Sequence, residues 1–315
     1  MAAPTNTLLT FSAVGNREDL LDKIFNISPV DTPFFSMIES SKATATYHEW
    51  QTEVLNAAAQ NAQIQGDDVT FGSPIITTRV GNRTQIMRKE VIISGTQEAV
   101  DKAGRNSEMV RQMANKRKEL YRDREFVLLS NQAPVTGNSA TAPQLRPTLG
   151  WYSTNVNMGS GGANGTTTTA RTDGTQRTLT EAMFASGIQS AWTNGGKPSM
   201  VVTGPKQRTV IDGFNGGATK FYSIEDKKLA ATIQVYEGSF GTVKMVLDRF
   251  VRGGQTGADR EIQFVDPDLW AFATLRPFQA LDIAKTGDSE KGVILFEGTL
   301  EARQEAGNAL VADLT

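Results

Sequence analysis

From Arg105 to Asn131 this chain contains neither proline nor glycine, and no other segment constrains its fold as tightly. Val110, Met113, Leu120 and Val127 recur there at helical spacing, with Ala114, Tyr121 and Leu128 beside them. About 25 helical residues span roughly 40 Å, which is long for a helix inside a compact domain. The other faces carry Lys116, Arg117, Lys118, Arg122 and Arg124, interleaved with Glu119, Asp123 and Glu125. Such a face reads either as a nucleic-acid contact or as a solvated, ion-paired surface. The second is the better reading, because the acids offset the bases.

Composition narrows the function. The chain has no cysteine, which excludes disulfides, thiolate metal sites and cysteine nucleophiles. Its single histidine, His48, lies in an alternating segment (Thr46 to Trp50) that reads as strand. With so few imidazole and thiol groups, nearly all transition-metal sites and histidine-dependent triads lack their parts. A formal charge of −2 exerts no general pull on nucleic acid. No apolar run approaches the ~20 residues that span a bilayer, and the first residues lack the basic start of a signal peptide. The expectation is a non-membrane protein, intracellular when made. Hydrophobic residues at 39% and charged residues at 21% are globular proportions, and 29 glycines suggest many turns and strands.

Along the chain, Asn16 caps an expected helix bearing Leu20, Leu21, Ile24 and Phe25 on one face. Two prolines, Pro29 and Pro33, then force extended geometry before a short apolar piece. A greasy helix on a strap has little core of its own and should pack on something else. Strands are expected over Thr44–Leu55, Ile75–Val80 and Gln85–Ser94, around a polar tip at Asn56–Asp68. A hairpin so long with a polar tip reads as a projection. Deleting Gln51–Gln85 is therefore expected to spare the folded core and prevent assembly. The Gly/Thr-rich stretch from Met158 to Thr169 reads as a mobile, dispensable surface loop. Beyond it, an amphipathic helix (Thr180–Trp192), a buried strand (Ser199–Thr203), a helix from Pro205 and a strand pair around Gly238–Gly241 form a compact α/β unit. Strands return at Glu261–Val265, Leu269–Pro277 and Gly292–Arg303.

Candidate chemistry is thin. Gly253–Gly257 and Gly204-Pro205-Lys206 invite a phosphate-binding reading, but neither has the spacing of a P-loop, and turns explain both better. Asp67-Asp68 and Asp266-Pro267-Asp268 lack the ligand pattern of a calcium loop; the second suits a tight turn. Trp50, Trp151, Trp192 and Trp270 read as packing residues before they read as a stacking platform. No catalytic, cofactor-binding or metal-ligating residue is assigned.

A helical arm, a long projecting hairpin, one long helix, an α/β unit and a final return to strands occur here in that order. Shorter motifs accompany them: Ser28-Pro-Val-Asp-Thr-Pro-Phe, Asp266-Pro-Asp-Leu-Trp with Leu275-Arg-Pro-Phe, Ala284-Lys-Thr-Gly-Asp-Ser-Glu-Lys, and Gly298-Thr-Leu-Glu-Ala-Arg-Gln-Glu. Over almost its whole length the chain resembles the major capsid proteins of tailed bacteriophages, with their α+β, Hong Kong 97-like fold. The resemblance implies an N-terminal arm at 1–40, an E-loop at 41–99, a peripheral domain with its spine helix at 100–149, an axial domain at 150–258, and return strands of the peripheral domain at 259–315. It implies an icosahedral head shell around double-stranded DNA. Expected partners are copies of the chain in pentamers and hexamers, scaffolding, portal and decoration proteins, and DNA met at the inner face without sequence specificity. The protein is expected in the virion head, after synthesis in the host cytoplasm. Because the chain starts at its arm, either a separate scaffold is expected or a removable scaffolding segment is absent from this sequence, and no covalent Lys–Asn crosslink is expected. The rival readings are an encapsulin-like cargo compartment, which shares the fold, and a hydrolytic enzyme with a Gly-rich active-site loop.

Overall fold

The computed structural model describes Thr7, Ile24 and residues 26–69, 71–214 and 235–315. The helix expected from Asn16, and residues 231–234 at the start of the strand expected before Gly238, lie outside these described residues. After the strap 26–32, Pro33 opens a five-residue helix, α1 (Pro33–Met37), where its missing N–H leaves no bond unmade. Four strands follow: β1 (Glu39–Lys42), β2 (Tyr47–Thr52), β3 (Thr78–Arg83) and β4 (Gln85–Ser94). A short helix, α2 (Gly95–Ala99), leads to the long one, α3 (Glu108–Leu128). Ser107 caps α3 by accepting a hydrogen bond from the Val110 amide at 3.2 Å. At 21 residues α3 spans about 31 Å, shorter at both ends than the proline-free window allows. Next come α4 (Thr148–Trp151), β5 (Val156–Asn157), α5 (Glu181–Thr193), β6 (Met200–Thr203) and α6 (Pro205–Asp212). The chain closes with β7 (Val235–Gly238), β8 (Gly241–Leu247), β9 (Glu261–Val265), β10 (Trp270–Ile283), β11 (Ser289–Ala302) and β12 (Ala309–Ala312).

Two sheets organise these elements, and β2 with β3 forms a separate two-stranded ladder. In the four-stranded sheet, ordered β1-β10-β11-β4, β1 runs parallel to β10 and the other pairs are antiparallel. Helix α3 lies across one face of this sheet, where a Cβ on Gly292 would meet Met109 and Met113. The six-stranded sheet runs β5-β12-β9-β6-β8-β7. Helix α5 covers it through Phe184, whose ring lies 5.0 Å from Phe264 and 4.9 Å from Tyr236. A second apolar core links the two sheets: Trp270, Phe272, Tyr152, Leu128 and Phe34 meet Val202, Val265 and Leu310 there, all buried.

Several expectations need correction. Strand β10 does not stop at Pro277 but runs on to Ile283, and its register with β11 shifts on both sides of Arg276. Such a bulge lets the ladder pass a residue that has no N–H. Arg124 and Glu125 do not belong to the solvated face of α3; both are buried. The Arg124 guanidinium sits 3.1 Å from the centre of the Phe35 ring, among Tyr121, Phe272, Phe278 and Phe296. Part of the remaining face is paired as expected, Lys116 with Glu119 (2.9 Å) and Lys89 with Asp123 (2.7 Å), whereas Arg117 bonds to Tyr121, and Lys118 and Arg122 have no carboxylate partner among the described residues.

The stretch 158–169 is not a free loop. The Gly159 amide donates to Asp313 Oδ2 (2.9 Å), and Ala163 pairs with Thr172. A Cβ on Gly159 would lie 2.0 Å from the Thr175 carbonyl oxygen, so glycine here permits close backbone contact. Arg171 anchors the arrangement through a fully buried pair with Asp313 (2.6 Å). Ser160, Gly161, Ala163 and Thr166–Thr169 are its exposed residues.

Candidate assembly surfaces

The β2–β3 ladder has six residue pairs, from Tyr47–Arg83 to Thr52–Thr78, with Glu49 and Arg79 ion-paired across it. Its base is fixed to the body by polar side chains aimed at β11. Trp50 Nε1 donates to the Ala302 carbonyl (2.8 Å), and the Trp50 ring lies 5.4 Å from that of Trp151. His48 contacts Glu301 at 3.2 Å, and Ser41 Oγ donates to the same carboxylate at 2.9 Å. Burial alone would raise the Glu301 pKa, but hydrogen bonds from Ser41, Arg303 and His48 outweigh it and hold the group below its ordinary value. Asn82 is buried; it donates to the Leu300 carbonyl (2.8 Å) and accepts from the Arg146 amide (2.8 Å). Gln85, at the start of β4, likewise accepts from Leu145 N and Gln132 Nε2. A deletion of 51–85 therefore removes body contacts, contrary to the expectation that it would spare the core.

Beyond the ladder the character changes. Among the described residues from 53 to 77 there is no helix or strand, and every one is exposed. The segment is polar, as expected, yet it also carries Val54, Leu55, Ile64, Val69, Phe71 and Ile76, with Phe71 91% and Ile76 84% exposed. Exposed apolar side chains at this density mark a contact surface. Ile27, in the strap before α1, is likewise fully exposed.

The segments singled out for chemistry resolve as turns. Asp266 caps a 3-10 turn by accepting from the Asp268 amide (3.3 Å), and Gly254–Thr256 form another such turn. At Gly204-Pro205-Lys206 the start of α6 is already filled by the chain's own Asp259, which accepts from the amides of Lys206 (2.9 Å) and Gln207 (3.0 Å). A carboxylate occupies the place where a phosphate would bind, and a Cβ on Gly204 would collide with it at 2.4 Å. Asp67 and Asp68 are exposed and cap their own loop. Among the described residues no three His, Cys, Asp or Glu side chains are grouped to hold a metal. Of the tryptophans, Trp151 and Trp270 are core residues, Trp50 joins the hairpin to the body, and Trp192 is about half exposed against Phe240. In the described residues no helix is long and apolar enough to cross a membrane.

The model of the SU10 major capsid protein family matches residues 3–315. The chain belongs to that family. The major capsid protein of Escherichia phage Phieco32 is 35% identical over 153 residues, 46% of this chain and 43% of that protein. The aligned part therefore spans less than half of that relative's length. Among solved structures, one from Gordonia phage Cozz superposes with a TM-score of 0.66 at 9% identity, covering 99% of this chain and 97% of the other. The capsid of Myoviridae phage XM1 gives 0.61 at 12% identity (98% and 99% covered), and the cyanophage A-1(L) capsid 0.63 at 13% (97% and 98%). Identities this low speak for the fold alone. They agree with the α+β, Hong Kong 97-like architecture read from the sequence of this SU10-family chain, and the comparisons give no support to a cargo compartment or a hydrolase.

Proposed function

We propose that this chain is the shell-forming subunit of a tailed-phage head and that it acts by packing against its own copies rather than by catalysis. The observation that carries this reading is the hairpin: its base is tied to the body, while its apolar distal part rests on nothing among the described residues. Residues 1–40 would be the arm, 41–99 the E-loop, 100–149 the peripheral domain with α3 as its spine, 150–258 the axial domain, and 259–315 the strands returning to the peripheral domain. In an assembled shell the distal hairpin lies on one neighbour and the arm on another. Axial domains meet as pentamers and hexamers in an icosahedral lattice, and closure multiplies modest contacts into a stable shell.

Double-stranded DNA is the expected content. Lys118, Arg122 and Arg249 have no carboxylate partner among the described residues, which suits a non-specific contact with phosphates on the inner face. Scaffolding and portal proteins complete the assembly reading. A decoration partner is supported by a fold neighbour, the phage G gp27 major capsid proteins and gp26 decoration proteins. The place of action is the virion head, after synthesis in the host cytoplasm.

Negative-stain microscopy of the purified chain, alone and co-expressed with its scaffold, tests the reading. Closed shells are expected. Dispersed monomers under both conditions would contradict it.

A further inference from the structure

Helix α1 is held at its start by a side chain from another element. The amides of Phe34 and Phe35 donate to Glu125 Oε1 (2.6 Å) and Oε2 (2.9 Å), so α3 supplies partners that the first turn of α1 cannot supply for itself. Against Glu125 stands a second carboxyl group, Asp248, just after β8, and both are fully buried. Asp248 Oδ1 accepts from the Phe250 amide (2.7 Å) and the Phe34 amide also bears on this carboxyl group, but Oδ2 has no well-formed hydrogen bond from an N–H or hydroxyl group. Two touching buried carboxylates with one oxygen lacking a donor make an unstable arrangement when both are ionised. One proton between them removes the repulsion and satisfies the orphaned oxygen.

We propose that Glu125 and Asp248 form a proton-held latch: a proton shared by the two carboxyl groups keeps α1 and its strap docked on the body, and loss of that proton loosens them. Among the described residues no cation forms an ion pair with either carboxyl group, although the Glu125 charge acts on Arg124. Helix α1 presents only backbone amides, since Pro33 to Met37 include no titratable side chain. On α3 the nearest cation is Arg124, whose guanidinium is engaged over Phe35. Arg122, one turn back from Glu125's face, lies 5.9 Å from the Phe250 ring, and Arg249 beside Asp248 is exposed. Burial first, and the neighbouring Asp248 second, raise the Glu125 pKa to about 9; burial likewise raises that of Asp248.

The sign follows from linkage. The docked state keeps its proton at a pH where a free carboxyl group has lost it, so docking is strongest in acid. It weakens as pH rises above the ordinary carboxylate range, by up to roughly tenfold per pH unit for one proton, until about pH 9. This device is a property of the single subunit and goes beyond the shell-forming role, so its failure and the failure of that reading are distinguishable.

Hydrogen exchange of the full-length, unassembled chain tests it. The rate for the peptide containing Phe34 and Phe35 is compared with the rate in Glu125→Gln at the same pH, which cancels the intrinsic pH dependence of exchange. Glutamine keeps an acceptor for α1 and gives Asp248 Oδ2 a donor that cannot ionise. The wild-type to variant ratio is expected to rise at least tenfold between about pH 6 and about pH 9. A flat ratio overturns the latch. If the variant does not fold, the same peptide is compared with one from β9 in the wild type. Divergence with pH is then expected, and parallel profiles overturn the proposal.

Discussion

The two halves of the hairpin are continuous in sequence and opposite in circumstance. Residues 47–52 and 78–83 form a regular ladder whose side chains reach β11 and α4, and Asn82 there is fully buried. The described residues from 53 to 77 form no helix or strand and expose Phe71 and Ile76 almost completely. The difference shows how far the chain can satisfy itself. At the base, each polar group pointing inward meets a partner on the same chain. At the tip, apolar side chains are left uncovered among the described residues. Substitutions in the base should therefore be read as stability changes in the isolated chain, and those in the tip as changes in assembly alone.

The largest expected effect is on assembly. Replacing 54–76 with a short turn joining β2 to β3 should abolish shells under the electron microscope and leave the denaturant midpoint of the isolated chain within error. Next comes the body. Arg171→Ala strands Asp313 without its buried partner and should lower stability by about 3–5 kcal/mol in urea unfolding. Trp50→Ala removes the hydrogen bond to Ala302 and the contact with Trp151, a loss of about 2 kcal/mol. Phe71→Ser should change stability by less than about 0.5 kcal/mol while raising the protein concentration needed for assembly. A Phe71→Ser chain that unfolded early, or a Trp50→Ala chain as stable as the parent, would erase the distinction.

Acid and alkali should separate base from strap. Glu301 has a lowered pKa, so its contribution to the hairpin base is present above the ordinary carboxylate range and lost as pH falls through the lowered value. Glu125 is raised, and α1 loosens in the opposite direction. Exchange rates of 47–52 should accordingly increase in acid relative to Glu301→Gln, while those of Phe34 and Phe35 increase in alkali.

Much of the fold was legible because it is periodic. The apolar stripe of α3, the amphipathic pattern of α5 and the β-branched run of β4 each announce their element locally. Strand β12 was missed: Ala309–Ala312 is short, fully buried and without alternation, so only its neighbours β5 and β9 define it. The burial of Arg124 did leave a sign, since Leu120, Arg124 and Leu128 fall on one helical face. Reading those charges as solvated ignored that spacing. The Gly/Thr stretch misled because its composition matches a linker, whereas its glycines permit close backbone contact and its anchor, Asp313, is more than a hundred residues away. For the assembly surface, sequence indicated the projection and its polar tip. It did not show where the chain's own support ends, because that depends on Asn82 and Trp50 finding partners in β11.

The central claim is that the hairpin tip is completed by another subunit while its base is complete already. Hydrogen exchange of assembled shells against dissociated chain measures this directly. Peptides from 53–77 are expected to become protected on assembly, with those from 47–52 and 78–83 unchanged. A tip that exchanges equally fast in both states, or a base that gains its protection only in the shell, would contradict it.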